Sequence, residues 1–273
     1  MDVMKLLKEL QLEHEKLEER KSYKIISSLF DEGTFEQIDE FAKSNGENTN
    51  VTCGFGAVEG RPVYAFCQDI DASFGAVTKS HINKLRKTYA LAEKSAAPLV
   101  CVYSSAGIKI TEDEDIVYSI GELLFKNWEL KDKIPIISIV SGPCYGLNAL
   151  MANSSNILIT TKDAKLSIDV ADYNISYKSL EDNGTSHFTV DSEEDAINLS
   201  KKLLNVLPSN KNSKVPIGKI KEPKEEKGAS ILTAMNAISK ERKYSIRSCV
   251  IEAIVDDESF MEFSELYGES LIT

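Results

Sequence analysis

The stretches PLVCVYSSAGIKI (98–110) and IPIISIVSGPCYGL (134–147) decide the fold. Each is a short apolar run that ends in small residues. Leu99–Tyr103 and Ile134–Val140 lack an in–out alternation, which marks strands covered on both faces. Between them Ile116, Ile120, Leu123 and Leu124 recur at helical spacing. The pattern predicts a short helix from Pro143, since proline fits a first helical turn, and then a strand over Ile157–Thr160. Strand, helix, strand, helix, strand is the order of right-handed crossovers in a parallel sheet.

Upstream, VTCGFGAVEGRPVYAFCQD (51–69) reads as a β-hairpin turning at Glu59-Gly60-Arg61. Ile82, Leu85, Tyr89 and Ala92 mark the helix that joins it to the first buried strand. Residues 2–20 form an amphipathic helix with Val3, Leu6, Leu10 and Leu17 on one stripe. It either packs on its own domain or docks on another subunit. Downstream, Ala196, Leu199, Leu203 and Val206 define a helix opened by the acidic run from Asp191 and stopped by Pro208. Ser209–Gly228, with Pro216, Pro223 and lysines from Lys211 to Lys227, reads as a linker. Helical spacing returns over 229–263. The division expected is a domain over 1–208, a linker over 209–228 and a helical tail over 229–273. Phe125 and Trp128, at helical spacing, read as core.

Charge narrows the function classes. The 273 residues carry 32 Lys+Arg against 43 Asp+Glu, a net −11. A nucleic-acid binder needs a basic face, so that class is disfavoured. No apolar run reaches the ~18 residues of a membrane span. The N-terminus lacks the basic-then-apolar plan of a signal peptide. The five cysteines include no CxxC pair. No metal site is therefore expected, and reduced thiols in a cytoplasmic protein are. A chain of this length buries a core without disulfides.

Ligands of α/β sheets bind beyond the carboxyl ends of the strands. Two loops lie there, Ser104–Ile110 and Ser141–Leu147. One main-chain amide from each loop can hold a single oxygen anion. The alternative is two tight turns with nothing bound. Gly142-x-Cys144-x-Gly146 also resembles a nucleophile elbow with cysteine in place of serine. That reading needs a base, and of His14, His81 and His187 only His187 is a candidate. The alternative is a buried, inert thiol and a hydrogen-bonded structural histidine. Lys109 either pairs with a phosphate or carboxylate or is solvated.

Taken in order, several motifs resemble the N-terminal half of the carboxyltransferase component of biotin-dependent acyl-CoA carboxylases and the related decarboxylases. They are Phe30-Asp31-Glu32-Gly33-Thr34-Phe35, Gly54-Phe55-Gly56, Gln68-Asp69, Phe74-Gly75, Gly142-Pro143-Cys144, Ser186-His187-Phe188 and Leu207-Pro208-Ser209-Asn210. The likeness spans roughly residues 10–210. It implies an α/β, crotonase-like (ClpP/crotonase) ββα superhelix as a single domain with helical extensions at both ends. It implies acyl-CoA as substrate, with biotin carried on a partner protein. The implied oxyanion donors are the backbone amides of Ala106, Gly107, Tyr145, Gly146 and Leu147. Ser105, Lys109 and Gly142 are implied as CoA contacts. The implied partners are a complementary C-type carboxyltransferase subunit and a biotin carboxyl carrier protein, in a hetero- or homo-oligomer.

The loops depart from the family. Its first loop usually reads Asp-Ser-Gly-Gly-Ala-Arg-Ile, against Ser104-Ser105-Ala106-Gly107-Ile108-Lys109-Ile110 here. Lysine does not reproduce the planar fork of arginine. The second usually reads Gly-Pro-Cys-Ala-Gly-Gly-Ala, and here Tyr145 and Leu147 add bulk. A catalytically eroded CoA-binding or scaffold subunit is the alternative, and a Cys144 thiol hydrolase the third reading. Arg247–Gly268 resembles the entry to the C-type domain, so either the other half is a separate polypeptide, the reading preferred, or the chain is a fragment.

Overall fold

The computed structural model describes residues 3–44, 46–109, 115–169, 175–217, 232, 236, 261–265 and 267. By internal contacts the chain divides into two units, Met1–Pro216 and Ile217–Thr273. Most of the expected linker and tail, with Cys249 and most of the C-type-like segment, lies outside the described residues. The first part of the linker is pinned to the main unit. Lys211 N–H donates to the Lys133 carbonyl (2.9 Å) and Asn210 Nδ2 to the Ala96 carbonyl (3.0 Å).

In chain order the elements begin with α1 (Val3–Glu18), α2 (Lys21–Ser27), β1 (Glu36–Gln37), β2 (Lys43–Ser44) and β3 (Glu47–Asn48). The hairpin β4 (Val51–Val58) and β5 (Arg61–Gln68) leads to α3 (Lys79–Ser95), β6 (Leu99–Ser105) and α4 (Asp115–Leu130). Then follow β7 (Ile136–Tyr145), α5 (Leu147–Asn153), β8 (Ile157–Thr161), β9 (Lys165–Ser167), α6 (Tyr177–Asp182), β10 (Phe188–Val190) and α7 (Glu193–Val206). The main sheet runs β1-β4-β5-β6-β7-β8-β10, with β9 beside the end of β7. β1, β4 and β5 pair antiparallel, and every ladder from β5 onward is parallel.

The hairpin turns where expected. Glu59 (φ 48°) and Gly60 (φ 74°) both adopt the left-handed region, as a two-residue loop matched to strand twist requires. Asp31 accepts from the Glu59 and Gly60 amides (3.0 and 2.9 Å), and those bonds hold its carboxyl below the usual range. The Arg61 guanidinium donates to carbonyls at the end of α7, the Leu207 bond being 3.1 Å, where the helix dipole favours a cation. β6 is buried along its whole length, the apolar run Leu99–Tyr103 being followed by two buried serines.

The N-terminal helix forms over Val3–Glu18, close to the expected 2–20, and the extended backbone of Arg20 separates it from α2. In α1 only Leu17 is buried, and Val3, Met4, Leu6, Leu7 and Leu12 are exposed. Two expectations change. Phe125 and Trp128 are not core: both project from α4 away from its buried stripe. The second buried strand does not give way to a helix at Pro143. It continues to Tyr145 because β9 supplies a second parallel partner over Pro143–Tyr145, and α5 starts only after Gly146.

His81, in the first turn of α3, is fully buried, and among the described residues neither ring nitrogen has a hydrogen-bond partner. Burial, reinforced by the nearby Lys84 ammonium, depresses its pKa to about 3. The unfolded chain protonates this ring below about pH 6.5. The contribution of neutral His81 is therefore complete above that pH. It falls by ~1.4 kcal/mol per pH unit as pH drops toward the folded value. Urea melts of His81→Leu are expected to show a flatter acid limb than the parent between about pH 6 and pH 4. Identical limbs would mean that the ring is not held neutral.

Candidate active site

β6 and β7 carry the two glycine-containing loops side by side. Their ladder shifts register after Tyr103↔Val140 and closes on Ser105↔Cys144. Gly107 and Gly146 therefore each lie two residues beyond one shared rung. Both have positive φ (117° and 61°), and a Cβ built at either would meet nothing within 4 Å. Among the described residues nothing stands beside either glycine backbone, which is the condition for a ligand atom to reach main-chain amides.

The amides have different fates. Ala106 N–H donates to the Phe74 carbonyl at 3.0 Å, and Gly146 N–H to the Ser167 carbonyl at 2.9 Å. Tyr145 is level with Ser167 in the β7–β9 ladder, and that bridge uses the Gly146 N–H rather than its own. Gly107 N–H donates only to a side-chain hydroxyl, Ser105 Oγ, at 3.1 Å. Leu147 is the first residue of α5, so its N–H has no acceptor within the helix. The half-buried Leu147 side chain packs against the main core. Among the described residues, the Gly107 and Leu147 amides are given no main-chain acceptor. Ala106 and Gly146 already serve main-chain carbonyls.

The first loop is stitched to the segment after the hairpin. Val77 N–H donates to the Gly107 carbonyl (2.9 Å) and Lys109 N–H to the Val77 carbonyl (3.0 Å). Ser73, Phe74 and Gly75 all have positive φ (49°, 57° and 63°), a strained run that leaves the Phe74 ring exposed beside the loop. Such strain concentrates at functional sites. Gln68, buried at the end of β5, accepts from Ser104 N–H through Oε1 at 3.2 Å. The sequence motifs Gln68-Asp69 and Phe74-Gly75 flagged this region, but not its role as the loop's support.

Two of the implied CoA contacts have other tasks. Ser105 is fully buried and satisfies Gly107. Gly142 lets the two loops close, since a Cβ there would stand 2.6 Å from Ser104 Oγ. Lys109 is half-buried at the edge of the described part of its loop.

The elbow reading is corrected. Cys144 sits within β7, paired with Leu166 of β9, and not on a strand-to-helix turn. It is fully buried, and desolvation pushes its thiol far above the normal range, opposite to what a nucleophile needs. His187 Nδ1 accepts from Leu158 N–H (2.9 Å), and Leu158 is level with Ser138 on β7. Six residues of strand separate Ser138 from Cys144, ~20 Å at 3.3 Å per residue. His187 is a structural residue, and burial lowers its pKa.

A family model described as the carboxyl transferase domain matches residues 18–173 and 177–273. The chain belongs to that family. It is 28% identical over 275 residues to the methylmalonyl-CoA decarboxylase subunit alpha of Veillonella parvula, covering 91% of this chain and 53% of that protein. It is 29% identical over 281 residues to the propionyl-CoA carboxylase beta chain of Saccharopolyspora erythraea, covering 90% and 51% respectively. The chain thus spans about half the length of these relatives. Transcarboxylase 12S, solved with methylmalonyl-coenzyme A and methylmalonic acid bound, superposes with a TM-score of 0.85 at 23% identity. That match covers 99% of this chain and 59% of the transcarboxylase chain, and it establishes the crotonase-like fold. Among the described residues no helix is long and apolar enough to cross a membrane.

Proposed function

We propose that this chain is the acyl-CoA-binding half of a carboxyltransferase in a biotin-dependent acyl-CoA carboxylase or decarboxylase. Its substrate class is a short acyl-CoA such as propionyl-CoA or its carboxylated product, as the two relatives' activities suggest. The single observation that carries the reading is the shared Ser105↔Cys144 rung, which sets two open glycine loops at neighbouring-strand distance.

Loss of an α-proton, or of CO₂, leaves negative charge on the thioester oxygen, and fixed donors lower the energy of that enolate. The Gly107 and Leu147 amides are the donors available for it. Gly107 exchanges the Ser105 hydroxyl for the ligand oxygen by a side-chain rotation, with no break in the sheet. Biotin, carried on a partner protein, supplies or accepts the carboxyl carbon when bound. A complementary chain with the second crotonase-like core completes the site.

A second reading, a CoA-binding scaffold without turnover, is favoured by the engagement of the Ala106 and Gly146 amides. Calorimetry with propionyl-CoA, followed by product analysis with the partner chain and carboxybiotin present, separates the two. Saturable binding with formation of methylmalonyl-CoA is the expected result. Binding without product, under conditions where a relative turns over, assigns the scaffold role. Absence of binding removes both.

A further inference from the structure

Ser104 opens the first loop at a point where the sheet ladders skip it. The β5–β6 ladder ends at Cys67↔Val102. The β6–β7 ladder passes from Tyr103↔Val140 to Ser105↔Cys144, so β7 sets Ser141, Gly142 and Pro143 against Ser104 alone. Irregularities of this kind re-aim a strand next to a site. Ser104 is nevertheless buried, and its amide needs an acceptor. The Gln68 side chain supplies one, Oε1 accepting from Ser104 N–H at 3.2 Å. Gln68 is only 2% exposed. It is level with Val51 on β4, whose carbonyl accepts from the buried Lys84 Nζ at 3.0 Å. Among the described residues Gln68 Nε2 has no hydrogen-bond partner, so the acceptor oxygen is the half of the carboxamide put to use. The rest of Ser104 is confined as well. A Cβ at Gly75 would stand 2.4 Å from its carbonyl oxygen, and one at Gly142 2.6 Å from its hydroxyl.

We propose that Gln68 is a positioning residue. Its side chain stands in for a missing strand partner, sets the register shift between β6 and β7, and thereby places the Gly107 amide. The path is short. Ser105, next to Ser104, takes the rung with Cys144, and its hydroxyl accepts from Gly107 N–H at 3.1 Å. When Ser104 loses its anchor, Ser105 leaves that rung and Gly107 moves with it. Gln68 is buried, so its loss is read through Gly107 and not through a contact of its own with the thioester. The effect on turnover rests on the function proposed above; the effect on register does not.

The test compares the parent with Gln68→Met and Gln68→Glu. Methionine keeps the length and removes the acceptor. Glutamic acid, held neutral by burial, keeps an acceptor oxygen. In the free, deuterated full chain the parent is expected to show a cross-strand NOE between Ser105 and Cys144. Gln68→Met is expected to lose it and to keep the one between Val102 and Ile139. With the partner chain and carboxybiotin present, kcat of Gln68→Met is expected to fall ~100-fold, the cost of about 1 Å of misplacement, while Kd for propionyl-CoA changes less than about threefold. Gln68→Glu is expected to recover most of both losses. A Ser105–Cys144 NOE that survives in Gln68→Met would overturn the proposal. So would turnover at the parent's level, or a glutamate variant as impaired as the methionine one. A loss of propionyl-CoA affinity as large as the loss of kcat would also overturn it, as the mark of general collapse. A parent that neither binds nor turns over removes the function proposed above, and the NOE still decides whether Gln68 sets the register.

Discussion

Leu147→Pro is expected to lower carboxyl-transfer turnover by about 10²–10³-fold, the usual cost of losing one oxyanion donor. Proline is tolerated at the first position of a helix, where the missing N–H has no acceptor and the ring's fixed φ suits the first turn. The substitution therefore deletes the amide and leaves α5 in place. Leu147→Ala separates the amide from the side chain. It loses part of the isobutyl packing against the core and keeps the donor, so its turnover is expected to stay near that of the parent. Gly146→Pro is a poor substitute for this test. It removes the bond to the Ser167 carbonyl and so breaks the β7–β9 ladder as well. Turnover is measured with the partner chain and carboxybiotin present, and circular dichroism confirms the fold. Equal turnover in the proline and alanine variants would show that the Leu147 amide does not act on the substrate.

Gly75→Ala is expected to destabilise the protein more than any other exchange of a turn glycine for alanine. The residue has φ +63°, and a Cβ would stand 2.4 Å from the Ser104 carbonyl oxygen, a backbone atom that cannot swing aside. A left-handed conformation costs a non-glycine residue ~1–2 kcal/mol. Overpacking adds ~1–3 kcal/mol. The sum, about 3 kcal/mol, corresponds to a fall of about 10 °C in melting temperature for a chain of this size. Gly60→Ala is the matched control. Its φ is +74° with nothing within 4 Å, so only the conformational cost applies. The two variants should thus differ by several degrees. Because the segment around Gly75 supports the first loop through the Phe74 and Val77 bonds, Gly75→Ala should also weaken propionyl-CoA binding, whereas Gly60→Ala should not. Equal melting temperatures would mean that the segment yields without strain.

What the sequence allowed, and what it did not, follows from the range of the interactions involved. The hairpin was readable because Glu59-Gly60 is a local turn signal and the strands on either side pair with each other. β6 was readable because Leu99–Tyr103, five consecutive buried residues, make an apolar run that no half-exposed element produces. The continuation of β7 past Pro143 was not, since β9 lies some twenty residues further along and the pairing is set by tertiary structure alone. For the same reason the capture of the Gly146 amide by Ser167 left no trace in the local pattern. Phe125 and Trp128 were misplaced for another reason. A helix apolar on both sides carries no periodic mark of which face its own core takes. The open space beside Gly107 and Gly146 was signalled by residue type. Which amides remain free to use that space depended on Phe74 and Ser167, contributed by other segments.

The most direct test of the central claim observes the donors themselves. The chain is labelled with ¹⁵N at glycine, alanine and leucine and titrated with propionyl-CoA. The account predicts saturable downfield shifts of the Gly107 and Leu147 amides with one shared affinity, while the Ala106 and Gly146 amides, each held by a main-chain carbonyl, stay in place. A titration that leaves Gly107 and Leu147 unmoved at saturating ligand, or that shifts Ala106 and Gly146 in their stead, would contradict it.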